Sequence, residues 1–264
     1  MTSDISIYIP VYNAESTIKQ CINSILSQNL KPLEILVIND CSTDNSLGIL
    51  QNYGEKIKII NNKKNMGLSY SRNLAKQNLK SRFVASIDSD VEISPNWVEL
   101  LLKKALEENV TLIGGKMYEK YTQNRFNFWR SKRLGQNWGE EDLENPKFVF
   151  GCNNILDTKR INSKLQYPDY DEYFKTNGED IEFSELLKKD NLKLYYHSAA
   201  TCFHLQNDNG LSLSKRYWRY IYYGDGLKKR NFFKTFKNVL RQIKKTFKWS
   251  ILDLFSKNLK LIPV

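Results

Sequence analysis

Short apolar runs alternate with longer amphipathic segments along the N-terminal part of this chain. The apolar runs have the length and composition of buried β-strands and occupy residues 5–11, 33–38, 57–60 and 83–87. Between them, apolar residues recur at helical spacing, as at Ile18, Ile22 and Ile25. Strands and helices that alternate through short connections form parallel sheets with right-handed crossovers. The sequence therefore predicts an α/β fold with a Rossmann-like, mostly parallel central sheet flanked by helices.

A helix is predicted after each of these strands. Ser42 or Thr43 is expected to cap the second helix, and Pro95 to open the fourth. Beyond residue 115 the apolar periodicity is lost, and aromatic side chains are spread among polar ones, at Tyr118, Tyr121, Phe126, Phe128, Trp129 and Trp138. Such aromatics either cover a cleft and stack on a ligand or pack beneath a long loop. Both interpretations remain open at this point.

The positive charge of the chain is concentrated at its C-terminal end. The formal net charge is +11, yet residues 211–264 carry 14 lysines and arginines against only Asp225 and Asp253. That segment alone has a charge of +12, which leaves the first 210 residues at −1. The polyanion-binding part of the molecule is therefore predicted to be this tail, with anionic lipid as its partner and no nucleic acid expected.

Four widely separated cysteines, Cys21, Cys41, Cys152 and Cys202, lack the spacing of a metal site or a disulfide scaffold. Free thiols in a reducing compartment are expected. The first residues have no basic leader region, and no apolar run approaches the roughly 18 residues of a membrane span. These features predict a cytoplasmic protein whose membrane contact is at most peripheral.

Two carboxylates separated by one residue, Asp88 and Asp90, follow directly after the fourth apolar run. Ligands of α/β sheets bind outside the carboxyl ends of the strands, and an Asp-x-Asp there can hold a divalent cation that clamps a phosphorylated ligand. The alternative is an acidic turn exposed to solvent. Polar groups follow the three preceding strands too, at 12–15, 39–40 and 65–67, and all four clusters are expected along one edge of the sheet.

The sequence contains neither a G-x-G-x-x-G fingerprint nor a G-x-x-x-x-G-K-[ST] loop, so a metal is expected to replace a glycine-rich phosphate cradle. Asp40 and Glu15 can accept hydrogen bonds from a nucleobase and a ribose. A site with these groups could recognise a nucleoside diphosphate.

Six motifs together resemble the family 2 glycosyltransferases, which have the GT-A fold. They are P-V-Y-N at 10–13, V-I-N-D-C-S-T-D at 37–44, N-M-G at 65–67, S-R-N at 71–73, D-S-D at 88–90 and G-E-D at 178–180. The resemblance covers about residues 4–205. It implies transfer of a sugar from a nucleoside diphosphate sugar, usually a UDP-sugar, with inversion at the anomeric carbon and with Mn²⁺ or Mg²⁺ as cofactor.

The resemblance also implies a donor site within these motifs, formed by Pro10, Tyr12, Asn13, Glu15, Asp40, Asn65, Gly67, Arg72, Asp88 and Ser89. Asp40 would accept from the uracil imide, and Arg72 would lie near the diphosphate or the sugar unless it is a surface arginine of its helix. Asp90 would coordinate the cation directly. Asp88 would contact the ribose, the donor sugar or the metal.

Asp180 corresponds to the catalytic base of the family, which must reach the acceptor nucleophile opposite the departing diphosphate. Glu179 would lie beside it, near the acceptor. The alternative is that both carboxylates only complement the dipole at the N-terminus of a helix. His204 is either a structural histidine or a metal ligand, since it lies where relatives place a third ligand, while His197 is expected to pack or cap. Asn153 either contacts acceptor or donor sugar or forms a turn.

In the tail, residues 232–255 place apolar side chains at three- or four-residue steps with lysines and arginines between them. This pattern predicts a basic amphipathic helix on an anionic membrane surface. Alternatively, the apolar stripe packs on the rest of the chain or forms a homodimer. A membrane-bound tail would make a lipid-linked saccharide a plausible acceptor.

The sequence thus predicts three parts: a nucleotide-sugar-binding half at 1–115, an acceptor and catalytic-base half at 116–210, and a basic helical tail at 211–264. The Q-x-x-R-W motif of processive relatives is absent, and K-R-Y-W at 215–218 is only distantly similar to it. Addition of a single sugar is therefore expected. Two rival functions are a nucleotidyl- or phosphoryl-transferring enzyme that uses the same Asp-x-Asp, and a non-catalytic adaptor that acts through the tail.

Overall fold

The computed structural model describes residues 4–162, 165–168 and 178–223, and in the tail residues 237, 240, 241, 244 and 248. Its strands are β1 (Ile5–Val11), β2 (Glu34–Asn39), β3 (Lys58–Asn61), β4 (Phe83–Ile87), β5 (Val91–Ile93), β6 (Leu112–Glu119), β7 (Leu143–Glu144), β8 (Asn153–Asp157) and β9 (Leu194–His204). Its α-helices are α1 (Ile18–Leu26), α2 (Ser46–Gln51), α3 (Leu68–Asn78), α4 (Trp97–Glu107), α5 (Arg125–Arg133), α6 (Glu179–Lys189) and α7 (Gly210–Tyr223). Two short 3₁₀ turns lie at Gly54–Lys56 and Thr158–Arg160.

These strands form one mixed sheet in the order β3-β2-β1-β4-β8-β6-β9-β5, with β7 paired to β9. The first four strands in this order are parallel, as the alternating sequence pattern predicts. β8 then runs antiparallel to β4 and β6, and β5 and β7 run antiparallel to β9. The sheet is flanked by helices, so the α/β architecture expected from the sequence is confirmed.

Apolar side chains cover both faces of this sheet. The largest cluster packs α1 and α4 against one face and includes Trp97, which is completely buried. Smaller clusters form on the other side: α3 contributes Ala75 to one, and α6 contributes Phe183 and Leu187 to another. Burial of apolar surface on this scale is the main favourable term that holds the elements in place.

The predicted strands and helices agree with the structure within one or two residues at most boundaries, but the predicted cap of the second helix is wrong. That helix begins at Ser46, with Asn45 at the N-cap position. Ser42 does not cap the helix because its hydroxyl accepts a hydrogen bond from the backbone N–H of Asn13 at 3.1 Å. Instead, Asp44 accepts a hydrogen bond from the N–H of Ser46 at 3.0 Å.

Region 116–150 contains three elements that the sequence did not predict, the end of β6, helix α5 and the short strand β7. Gly114 and Gly115 interrupt the run of β-forming side chains in β6, so the sequence does not indicate a strand there. The packing of the sheet nevertheless requires glycine at one of these two positions. A Cβ atom on Gly115 would lie 2.3 Å from the carbonyl oxygen of Ala200 in β9. The strand therefore contains glycine because the neighbouring backbone approaches closely.

The chain divides into two compact units. One consists of residues 1–118 and 136–205 and contains the sheet apart from the last residue of β6; the other consists of 119–135 and 206–264 and contains α5 and α7. In the second unit, the Trp129 and Tyr217 rings meet edge to face, with centroids 5.8 Å apart. Arg130 bonds Glu119 and Asp208 there. Within the described residues, no helix is long and apolar enough to cross a membrane.

Candidate functional site

The polar clusters that follow the parallel strands lie at one edge of the sheet. The registers place Val11 beside Asn39 and Asn39 beside Asn61, so the loops after β1, β2 and β3 leave the sheet at the same level. β4 is parallel to β1 and leads into Asp88, Ser89 and Asp90 at that edge. The carboxyl edge of the parallel strands is where α/β proteins bind ligands.

The loops after β1 and β2 are joined by reciprocal hydrogen bonds. The Asn13 side-chain oxygen accepts from the Thr43 N–H at 2.8 Å, and the Glu15 carboxylate accepts from the Asn45 N–H at 2.9 Å. In return, Asp44 accepts from the N–H of Glu15 at 3.0 Å. The side chains of Asn13 and Glu15, two of the donor residues expected from the sequence, thus brace the loops against each other.

Tyr12 lies within the first of these loops and is 51% exposed. Its ring is the large apolar surface that this edge offers to a flat ligand such as a nucleobase. Pro10 is buried within β1 and pairs in register with Ile38. Pro10 therefore shapes the strand that presents Tyr12.

Asp40 is 3% exposed and holds the loop that follows β3. Its carboxylate accepts from the side chain of Asn62 at 2.7 Å and from the N–H groups of Met66 and Gly67, each at 2.8 Å. A carboxylate has about four lone-pair sites, so one remains for a ligand such as a base imide. Asn65, in the same loop, is exposed.

Asp88 and Asp90 have different partners. Asp88 Oδ1 forms an ion pair of 2.9 Å with Arg72 Nη2, whereas Asp90 Oδ2 lies 3.3 Å from His204 Nε2. His204 is brought there because the end of β9 pairs with Val91 at the start of β5. Ser89, between the two carboxylates, is partly exposed.

The predicted metal ligands are therefore brought together only in part. Among the described residues, no three or more His, Cys, Asp or Glu side chains form a group that could hold a metal. Asp90 and His204 do lie together, and they offer a carboxylate and an imidazole, a donor set that suits Mn²⁺. Mg²⁺-type sites commonly use one or two protein carboxylates and complete the shell with substrate phosphates. The residues present fit a cation that is shared with a diphosphate.

Helix α6 carries the second carboxylate pair at its N-terminus. Glu179 is 3% exposed and forms an ion pair of 3.2 Å with Arg72 Nε. Asp180 is partly exposed; its Oδ2 accepts from the Gly151 N–H at 3.0 Å and its Oδ1 from the Ile181 N–H at 2.8 Å. Asp180 is thus oriented by backbone donors, and it remains the candidate base.

Burial raises the pKa of both carboxyl groups. The pKa of Glu179 rises to about 8 because its charged form is desolvated and because Asp180 repels it, which together outweigh the attraction of Arg72. Burial also raises the pKa of Asp180, against the opposing hydrogen bond from Gly151 and the charge of Arg72. A raised pKa makes a carboxylate a stronger proton acceptor, which favours a role as general base.

The side chains of Asn153 and His197 bond residues other than the carboxylates described above. Asn153 is 1% exposed, and its Oδ1 accepts from Trp97 Nε1 at 2.6 Å. Among the described residues, its Nδ2 has no hydrogen-bond partner. His197 Nδ1 lies 2.9 Å from a carboxylate oxygen of Asp142, so this histidine holds the segment before β7.

Three contributors were not anticipated from the sequence, Ser86, Gly151 and Tyr167. Ser86 Oγ and the carbonyl oxygen of Gly151 both accept hydrogen bonds from Arg72, and the Tyr167 ring centroid is 5.8 Å from the Arg72 guanidinium carbon. Ser86 could have been found, because residues two apart on a strand share a face and Asp88 is two residues further on. Gly151 and Tyr167 lie far from Arg72 in the sequence and gave no such signal.

Comparison with known protein families identifies the family of this chain. The model of the family described as "Glycosyl transferase family 2" matches residues 6–175. The chain belongs to glycosyl transferase family 2. This finding confirms the resemblance that the six sequence motifs carry.

Curated relatives of this family 2 chain match part of its length. It is 32% identical over 163 residues to Glycosyltransferase GlyA of Streptococcus pneumoniae, a match that covers 60% of this chain and 22% of GlyA. It is 38% identical over 106 residues to chondroitin synthase of Pasteurella multocida, which covers 39% of this chain and 11% of the synthase. The chain thus spans less than a quarter of the length of these two relatives.

Solved structures show the same fold at low sequence identity. S. aureus TarS 1–349 in complex with UDP-GlcNAc has a TM-score of 0.64 at 20% identity and covers 99% of this chain and 77% of that one. The mannosyltransferase PcManGT from Pyrobaculum calidifontis, in complex with GDP-Man and Mn²⁺, has a TM-score of 0.65 at 13% identity and covers 88% and 66%. The GT-A fold expected for this family 2 chain is therefore confirmed.

Proposed function

We propose that this protein transfers one sugar from a nucleoside diphosphate sugar, most readily a UDP-sugar, to a saccharide or lipid-linked saccharide in cell-surface glycan synthesis. The observation that carries the proposal is the convergence of Asp88, Arg72 and Glu179 in one contact network at the carboxyl edge of the sheet. This network joins the donor motif to the candidate base motif. Relatives in complex with UDP-GlcNAc and with GDP-Man support the donor class.

In this proposal the donor lies along the edge formed by the loops after β1, β2 and β4. Tyr12 covers the base, the remaining lone pair of Asp40 accepts from it, and Asp88 lies near the ribose or the sugar. Asp90 and His204 would hold Mn²⁺ or Mg²⁺, which neutralises charge on the leaving diphosphate when bound. The structure of PcManGT with Mn²⁺ supports a divalent metal.

The proposed reaction is a single displacement. An acceptor hydroxyl attacks the anomeric carbon, the bond from that carbon to the diphosphate oxygen breaks, and Asp180 takes the hydroxyl proton. Attack opposite the leaving group inverts the configuration at the anomeric carbon. Asp180 is suited to this role because backbone N–H groups fix its carboxylate and burial raises its pKa.

We further propose that residues 211–264 hold the enzyme peripherally on the cytoplasmic face of an anionic membrane. The segment has a charge of +12. In its described part, Leu211 at the start of α7 is 66% exposed and Lys215 is also exposed. Most of the predicted amphipathic helix at 232–255 lies outside the described residues. The alternative, a homodimer formed by the same apolar stripe, would show as a doubled mass in solution.

Release of nucleoside diphosphate from UDP-glucose, UDP-GlcNAc and GDP-mannose tests the transferase proposal. We expect release from one of these sugar nucleotides with Mn²⁺ present, to water or to an added saccharide. Asp180→Asn should abolish release while UDP still binds, whereas Asp190→Asn, at the exposed end of the same helix, should leave release unchanged. Full release by Asp180→Asn would refute the assignment of the base.

The same assay tests the prediction of a single transfer. Mass spectrometry of the product formed with one donor and one saccharide acceptor should show one added sugar. A ladder of products from a single donor would contradict that expectation.

A further inference from the structure

The guanidinium of Arg72 is enclosed by protein groups. Arg72 is 1% exposed. Nε pairs with Glu179 at 3.2 Å, Nη2 pairs with Asp88 at 2.9 Å, and Nη1 donates to the Gly151 carbonyl oxygen at 2.9 Å. Nη1 also donates to Ser86 Oγ. Arg72 of helix α3 therefore joins the end of β4, the loop before β8 and the N-terminus of α6.

The peptide groups of Gly151 lie between Arg72 and Asp180. The carbonyl oxygen of Gly151 accepts from Arg72, and its N–H donates to Asp180 Oδ2 at 3.0 Å. A Cβ atom on residue 151 would lie 2.8 Å from Arg72 Nη2 and 3.2 Å from the Cβ of Asp180. Any side chain there would push these two groups apart. The close approach therefore requires glycine at this position.

We propose that Arg72 and Gly151 are positioning residues that fix the Asp180 carboxylate relative to the Asp88–Asp90 edge. This inference rests on the proposed function. It differs from the role that the resemblance implies for Arg72, because the buried guanidinium directs four of its five N–H donors to protein groups. The chain of contacts runs from Asp88 through Arg72 and Gly151 to Asp180.

A planar guanidinium suits this task because its donors point in fixed directions and can hold several oxygens at once. Lysine at this position would keep the positive charge but would lack the planar set of donors that can hold several oxygens at once. The charge of Arg72 and the N–H of Gly151 both oppose the effect of burial on the pKa of Asp180. Displacing either group from Asp180 should move the acid limb of the kcat profile to higher pH, because Asp180 would then stay protonated to a higher pH.

The test compares three variants that act on the same contacts with different severity, Arg72→Lys, Gly151→Ala and Ser86→Ala. For each we would measure kcat and KM for the sugar nucleotide that the wild type turns over, the pH profile of kcat, and the Kd for UDP with Mn²⁺. A misplaced base typically costs about 100-fold in rate. We expect losses of about that size in kcat for Arg72→Lys and Gly151→Ala, a smaller loss for Ser86→Ala, and unchanged UDP binding.

Two matched controls separate positioning from general damage. Arg82→Lys changes another arginine that pairs with a buried carboxylate, Asp157, at the opposite end of β4. Gly48→Ala, in α2, adds a Cβ that meets the flexible side chain of Asn45, the N-cap residue of that helix. Both controls should keep the wild-type kcat and its pH profile.

Each result bears on one claim. UDP release by the wild type decides the proposed function by itself, and its absence would remove both claims. With the wild type active, variants that weaken UDP binding and raise KM while kcat and its pH limb stay unchanged would overturn the positioning role in favour of a donor contact. Wild-type behaviour of all three variants would overturn it as well. If the two severe variants fail to fold, Ser86→Ala still decides, because a kcat equal to that of the wild type would refute the inference.

Discussion

At the scale of single residues, Asp90 and His204 are the proposed metal-binding pair. Asp90→Asn or His204→Ala should remove the additional thermal stabilisation that Mn²⁺ gives in the presence of UDP, because each leaves only one side chain of the pair. Asp190→Asn is the control, since Asp190 is exposed at the end of α6. Stabilisation of the His204 variant equal to that of the wild type would restrict the protein ligands to Asp90.

Glu179 makes a prediction about pH. Its pKa rises from 4.5 to about 8 in the folded protein, because burial and Asp180 disfavour the charged form. A raised carboxyl pKa favours folding fully below pH 4.5, and this contribution is lost as the pH rises through about 8. The free energy of unfolding should therefore fall across that window, and Glu179→Gln should flatten the fall. Urea unfolding of the wild type and the variant at several pH values measures this pH dependence. An identical pH dependence in the two proteins would contradict the raised pKa of Glu179.

The sequence could predict the chemistry of single residues better than their contacts. The Asp-x-Asp, the G-E-D motif and Arg72 were found as residue types within motifs, yet the partner of Arg72 on α6 lies 107 residues away. The ligand contacts expected of Asn13 and Glu15 stay predictions, and the structure adds that both side chains brace the loops. Hydrogen bonds between loops depend on which backbone N–H groups lie near the side chain in the folded protein. The spacing of residues within one loop does not encode this.

At the scale of elements, the joined loops after β1 and β2 should be sensitive to Asn13. Asn13 has a positive φ of 51°, a conformation that alanine adopts less readily than asparagine, and its side chain accepts a hydrogen bond from Thr43. Asn13→Ala should therefore introduce backbone strain and remove that hydrogen bond. We expect a destabilisation of about 1–3 kcal/mol and weaker UDP binding. Asn13→Gly keeps the conformation and should cost less. Urea unfolding of both variants checks this, and equal losses would show that backbone strain plays no part.

Whether an element could be predicted depends on how regular its pattern of apolar residues is. β1 and β4 were placed correctly because every residue in them is buried, which makes both segments largely apolar. β6 was missed because Gly114 and Gly115 interrupt its pattern. α5 was missed although Asn124 caps it, accepting from the N–H of Phe126. That Asn was the local signal that could have found this helix.

At the scale of the whole molecule, the basic tail should bring the full chain to anionic membranes. We expect it to sediment with vesicles that contain phosphatidylglycerol but not with pure phosphatidylcholine vesicles, and to dissociate as salt rises, because each Lys or Arg near the surface contributes about 1 kcal/mol. A variant with Lys244, Lys245 and Lys248 changed to glutamine should bind less. Equal sedimentation with both vesicle types would contradict an electrostatic anchor.

The central claim is that the carboxyl edge of this sheet binds a nucleoside diphosphate together with a divalent metal. Thermal unfolding of the full chain with UDP, GDP, CDP and dTDP, each with and without Mn²⁺, tests it most directly. A ligand at 100 times its Kd stabilises by about 2.7 kcal/mol, well within reach of the measurement. We predict a shift that depends on Mn²⁺ and favours one base, UDP first. No shift with any diphosphate in the presence of Mn²⁺ would contradict the account.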